Sequence, residues 1–142
     1  MFKVLIPVDG SDCAVRAVEY VIKLAREIGP VSVCLLNVYY EPVRLGDVGI
    51  AVTPQQMEEV ERRQTDPALS TAERFLREAG MSYERDVRAG DVAPAIVKYA
   101  QDSACSAIVM GTHGAGALSN LVMGSVAMKV VQLAKVPVTL VK

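Results

Sequence analysis

The chain reads as an α/β domain in which five short apolar strands alternate with helical segments to build a parallel sheet covered by helices on both faces. Two observations carry this reading. Val-rich runs such as residues 31–39, VSVCLLNVY, are apolar nearly throughout, as in strands buried on both faces. Between such runs, apolar residues recur at steps of three and four, and each connection is long enough for a right-handed crossover.

The first strand spans residues 2–8, FKVLIPV, and the turn Asp9, Gly10, Ser11 and Asp12 offers caps for a helix. Ala14, Ala17, Val18, Val21, Ala25 and Ile28 form the stripe of that helix, which Gly29 and Pro30 end. After the second strand, residues 41–54 hold two prolines and two glycines without a period, so they read as a long connection and a candidate flap. Residues 55–79 look helical, with Leu69, Ala72, Leu76 and Ala79 as the buried stripe. Pro67 removes a backbone donor, so this helix is expected to kink there or to restart with Asp66 as cap.

Residues 82–88 alternate weakly, as an edge strand does. Gly90 and Asp91 read as a turn and N-cap for a helix with Val92, Ile96, Val97 and Ala100 on its apolar face. Residues 106–110 form a fourth strand, residues 123–134 a helix through Val126, Val130 and Ala134, and residues 136–141 a closing strand. A length of 142 residues suits one domain, so residues 1–142 are taken as a single unit.

Composition removes several functions. Fifteen Lys and Arg against 16 Asp and Glu leave a net charge of −1, too little field to hold a nucleic-acid backbone. No apolar run approaches the roughly 18 residues of a membrane span, and Pro7, Asp9 and Gly10 interrupt the start where a signal peptide would be apolar. A soluble, cytoplasmic protein is expected. Cys13, Cys34 and Cys105 lack CxxC spacing and read as buried, reduced residues, and a single His makes a zinc site hard to build.

In parallel sheets ligands bind beyond the carboxyl ends of the strands, near the switch in strand order. The feature that stands out there is Gly111, Thr112, His113 and Gly114, followed after nine residues by Gly124 and Ser125 at a helix start. Glycine permits close backbone approach, and a helix N-terminus presents unpaired N–H groups with the positive end of its dipole, a cradle for phosphate. The Ser125 hydroxyl adds a donor to phosphate or a ligand to magnesium. The same glycines can instead only turn the chain. GxxxxGK[ST] and a complete GxGxxG are both missing, which sets aside P-loop enzymes and NAD dehydrogenases.

Gly111, Gly114, Gly124 and Ser125 match G-x2-G-x9-G-[ST], and with the opening IPVDGSDCA and the closing PVTLVK the chain resembles the ATP-binding branch of the universal stress protein family over its whole length. The resemblance implies a Rossmann-like sheet of the adenine nucleotide alpha-hydrolase type with strand order 3-2-1-4-5. It implies that Asp9 contacts the nucleoside with Pro7 and Val8 lining the same pocket, and that the backbone at Val38 reads adenine. Met110 and Gly111 would lie under the ribose, His113 and Gly114 along the loop, and Gly124, Ser125 and Val126 at the phosphates. The implied ligand is ATP, or ADP or AMP, with magnesium or manganese.

Many relatives carry Arg or Lys after the second motif glycine, where this chain has Ala115, Gly116 and Ala117. Lys129, one turn beyond Ser125, is then the nearest cation in sequence, and phosphate charge falls to backbone N–H groups and a metal. Asp9 can also be read as a plain turn residue and His113 as a loop residue without an acid to orient it. A bulky residue at position 124 is expected to block phosphate without unfolding the sheet. The leading function is a nucleotide-dependent regulatory module in stress response, with an unidentified protein partner and a homodimer through residues 136–141. A slow ATP-hydrolysing enzyme and a nucleotide-free dimerisation module stay open as alternatives.

Overall fold

The computed structural model describes residues 1–39, 53–113 and 123–142. Strand β1 (Phe2–Pro7) leads to helix α1 (Asp12–Ile28), β2 (Val31–Tyr39), α2 (Pro54–Glu78), β3 (Tyr83–Ala89), α3 (Val92–Asp102), β4 (Ala107–Gly111), α4 (Ser125–Leu133) and β5 (Val138–Val141). All neighbouring strands pair in parallel in the order β3-β2-β1-β4-β5. Chain direction across the sheet therefore switches between β1 and β4, and β3 and β5 form the two edges.

Alternation along the strands divides the core in two. Val4 and Ile6 of β1 and Val33 and Leu35 of β2 face Ala17, Val18 and Val21 of α1 and Leu69 and Leu76 of α2. Leu5, Cys34, Leu36, Ile108 and Met110 face Ile96, Val97 and Ala100 of α3 and Ala127 and Val130 of α4. Strands sandwiched this way need apolar residues at successive positions, which is why their sequences read as runs. The three cysteines are free and buried. Among the described residues no helix is long and apolar enough to cross a membrane.

The cap of α1 is Ser11, whose hydroxyl accepts the Ala14 N–H at 3.2 Å. Helix α2 starts at Pro54 behind a reciprocal capping box between Thr53 and Gln56. Thr53 and Pro54 thus belong to this helix, and residues 41–52 of the expected connection lie outside the described residues.

Of the two alternatives at Pro67, the restart is corrected: α2 is one helix with Pro67 inside it. Pro67 is exposed, so the carbonyl that loses its donor can meet water, while Leu69, Ala72 and Leu76 hold the following turns to the core. Asp66 pairs with Arg85 of β3 rather than capping a helix. At the other end of the sheet Pro137 has no N–H to donate and precedes β5, its carbonyl accepting the Ile108 N–H at 2.9 Å.

Candidate functional site

A cavity of about 420 Å³ opens at the carboxyl ends of β1, β2 and β4, where the strand order switches. This size falls in the range of small-molecule sites, about 300–1,000 Å³. Pro7, Val8 and Asp9 enter it from the end of β1, Val38 from β2, Met110, Gly111 and His113 from β4 and the segment after it, and Gly124, Ser125 and Val126 from the start of α4. The structure thus brings together every candidate site residue except Gly114, which lies outside the described residues, as do Ala115, Gly116 and Ala117.

The wall is apolar toward Val8, Leu36, Val38, Ile96 and Met110 and polar toward Asp9, Ser11 and Ser125. Val92 and Ile96 of α3 were legible only as a helix stripe, because nothing in a 3.6-residue period marks which end of the stripe overhangs a cavity.

Beyond β1 the chain reverses through Gly10, at φ +84°, a left-handed conformation that glycine adopts without strain. The Asp9 carboxylate accepts the Ser11 N–H at 2.9 Å, and Ser11 in turn caps α1. Asp9 is therefore a turn residue and a cavity residue at once.

At the opposite side Gly124 is the N-cap of α4 and brings no side chain to the first N–H groups of the helix. Its own N–H donates to the Thr112 carbonyl at 2.6 Å, and the Thr112 N–H donates to the Val141 carbonyl at 3.0 Å. The cradle is in this way tied to the end of β5. The positive end of α4 beside Ser125 and Val126 suits an anion.

Two glycines prove to be packing residues as well. A Cβ on Gly111 would stand 2.7 Å from Cys13 Sγ, and one on Gly124 would stand 3.1 Å from His113 Cα. A bulky residue at position 124, expected to block phosphate without unfolding the sheet, would also press on the His113 backbone.

Burial pushes the Cys13 thiol up, but the N–H groups of His113 and Thr112 and the Thr112 hydroxyl outweigh it and hold the thiol below its ordinary value. The Cys13 thiol donates to the Val141 carbonyl at 3.0 Å. The Thr112 hydroxyl stands 3.0 Å from His113 Nδ1, the place a carboxylate would take in an oriented general base. Lys129 pairs with Asp91 at 3.7 Å, drawing it toward the start of α3. Asp91 occupies the N-cap position of α3 without a side-chain capping bond.

Among the described residues no group of three His, Cys, Asp or Glu is arranged to hold a metal ion. A divalent ion at this site would take Ser125 and the oxygens of a phosphate ligand.

The universal stress protein family model matches residues 1–142. Universal stress protein MJ0531 of Methanocaldococcus jannaschii is 30% identical over 142 residues, covering 99% of this chain and 81% of that protein. The solved structure of MJ0577 from the same organism has a TM-score of 0.78 at 28% identity, covering 99% of this chain and 94% of that one. A universal stress protein from Archaeoglobus fulgidus, solved in complex with dAMP, has a TM-score of 0.67 at 25% identity, covering 100% of this chain and 98% of that one. With the family model matched from end to end and the fold shared with these structures, the chain belongs to the universal stress protein family.

Proposed function

We propose that the chain binds an adenine nucleotide, ATP in first place, in the cavity between β1, β4 and α4, and works as a nucleotide-dependent regulatory module in stress response. The observation that carries this is the meeting of an apolar wall, the Asp9 turn and the uncapped start of α4 around one cavity. Relatives of the same fold have been solved with AMP, cAMP and dAMP.

In this reading the base lies against Val8 and Val38, Met110 and Gly111 lie under the ribose, and Asp9 accepts hydrogen bonds from the sugar. Gly124, Ser125 and Val126 receive the phosphates, with magnesium or manganese bound jointly by Ser125 and phosphate oxygens. His113 contacts ligand rather than acting as a base, because the Thr112 hydroxyl meets its Nδ1. The module acts by binding rather than by turnover.

The test is to denature the purified protein, identify any released nucleotide, and titrate the protein calorimetrically with ATP, ADP and AMP, with and without magnesium. Micromolar or tighter binding of an adenine nucleotide is the expected result. No released nucleotide and no binding heat would refute the reading, and phosphate release lost in His113→Ala would favour the ATP-hydrolysing alternative.

The protein is proposed to work in the cytoplasm as a two-fold homodimer through the edge strand β5. Supporting this, β5 is an edge strand of the sheet among the described residues, and Met128, Val131 and Leu133 of α4 are exposed large apolar residues. Light scattering behind size exclusion checks it, and a monomer at micromolar concentration would refute it.

A further inference from the structure

Among the described residues, Asn37 and Thr65 are the buried polar side chains. Thr65 is satisfied within α2, its hydroxyl donating to the Glu61 carbonyl at 3.0 Å. Asn37 instead reaches across to the end of β1, its Nδ2 donating to the Val8 carbonyl at 2.7 Å. It stands on β2 between Leu36 and Val38, both of which line the cavity, and strand alternation places it on the face that holds Val33 and Leu35. An amide in such apolar surroundings is tolerated only with a partner.

The carbonyl it holds is the one from which β1 leaves the sheet. Regular pairing with β2 ends at Pro7 and Leu36, and the Val8 N–H still donates to the Leu36 carbonyl at 2.8 Å. Val8 is thus held through its N–H by β2 backbone and through its carbonyl by the Asn37 side chain. The next peptide begins the Asp9 turn, where Gly10 is free to adopt many conformations.

We propose that Asn37 is a positioning residue for nucleotide binding: its amide clamps the Val8 carbonyl so that Asp9 meets the cavity in a single orientation. The inference rests on the cavity being an adenine-nucleotide site, and the chemistry served is the carboxylate of Asp9 accepting from sugar hydroxyls. The residue type follows from the partner. A carbonyl requires a donor, so Asp at position 37 would set acceptor against acceptor, and Leu would fill the volume while leaving the carbonyl unpaired.

The test uses the full chain and its Asn37→Leu, Asp9→Ala and double variants, with Asn37→Ala measured alongside in case Asn37→Leu does not fold. Without ligand, Asn37→Leu is expected to speed solvent exchange of the Ser11 amide, the Asp9 partner, about tenfold, while the Val33 and Leu35 amides of β2 stay within about twofold. With AMP as the probe, Asn37→Leu is expected to weaken binding about tenfold in the parent and less than about twofold in the Asp9→Ala background.

Unchanged Ser11 exchange would overturn the clamp. Losses that multiply in the double variant would overturn action through Asp9 and leave Asn37 a merely structural residue. If the parent binds no AMP, ADP or ATP, the nucleotide reading fails, while the ligand-free Ser11 measurement still decides whether Asn37 positions the turn.

Discussion

A methyl group on Gly111 would enter α1. Its carbon would stand 2.7 Å from Cys13 Sγ, 2.9 Å from Cys13 Cβ and 3.1 Å from the Cys13 carbonyl carbon. Unstrained carbon contacts begin near 3.5 Å, so the overlap is several tenths of an ångström at each atom. Rotating the thiol relieves only the first of these and gives up its 3.0 Å bond to the Val141 carbonyl. The other two atoms move only with the helix, and shifting α1 loosens the packing of Ala17, Val18 and Val21, which are fully buried.

Overpacking costs about 1–3 kcal/mol. The backbone carbon among the contacts places Gly111→Ala toward the upper end, at about 2–3 kcal/mol. For 142 residues the unfolding entropy near 60 °C is about 0.3 kcal/mol/K, so Tm is expected to fall by roughly 7–10 °C. Urea and thermal unfolding of Gly111→Ala, Cys13→Ala and the double variant measure this. Because Cys13→Ala removes Sγ and leaves Cβ, the cycle should show a favourable coupling of about 1 kcal/mol. Stability within about 0.5 kcal/mol of the parent, or no coupling, would refute the argument that this glycine admits α1 to the sheet. Intact stability with lost nucleotide affinity would instead assign the missing Cβ to the ligand.

Gly124→Ala meets His113 Cα at 3.1 Å and the Thr112 carbonyl oxygen at 3.4 Å, a milder overlap, so about 1 kcal/mol of destabilisation is expected together with weaker AMP binding by calorimetry. Pro67→Ala restores an interior helix N–H at an exposed position and should raise stability by about 1–2 kcal/mol in urea unfolding; a loss would show that the proline is needed in α2. Burial and the neighbouring Glu84 carboxylate push the Cys34 thiol up to about 12. The folded state therefore keeps a proton that the unfolded chain releases above its ordinary thiol value near 8.5. Stability from this group is complete below that value and declines as pH rises toward about 12, by at most about 1.4 kcal/mol per pH unit. Urea midpoints from pH 7 to 10.5 should fall in the parent and less steeply in Cys34→Ala. Cys105 and Tyr99, both raised by burial, sustain the remaining slope.

The strand and helix order was legible because a parallel sheet between two helix layers demands apolar runs, and each helix shows one buried stripe. Local rules misled where tertiary packing outweighed them. Pro67 allowed a kink or a restart, and the restart fails because Leu69, Ala72 and Leu76 anchor the turns after it and the Thr53 capping box secures the start. The glycine spacing marked the place of the cradle but not the second duty of Gly111, since the approach of Cys13 depends on how α1 crosses the sheet. Asn37 left one visible trace, a polar residue inside an apolar run, and sequence alone does not reveal that its partner is Val8. The pairing of Lys129 with Asp91 was equally hidden, because it joins two helices far apart in the chain.

That pairing bears on how a near-neutral domain would hold an anion. Residues 111–128 contain no Lys or Arg, and Lys129 already faces a carboxylate. Both members of the pair are largely exposed, so solvent screens them and their net effect on a phosphate is small. Among the described residues, what would face a phosphate in the proposed reading is the start of α4, worth roughly half a positive charge and fixed in place by the hydrogen bonds from Gly124 to Thr112 and from Thr112 to Val141. A partial charge of that size offsets only part of one phosphate's charge, so in the proposed reading the further phosphates of ATP depend on the divalent ion shared with Ser125. In the proposed reading, discrimination then resides in the apolar wall and the Asp9 turn, and Asn37, proposed to order that turn, lies closer to the origin of specificity than the Lys129 ammonium does.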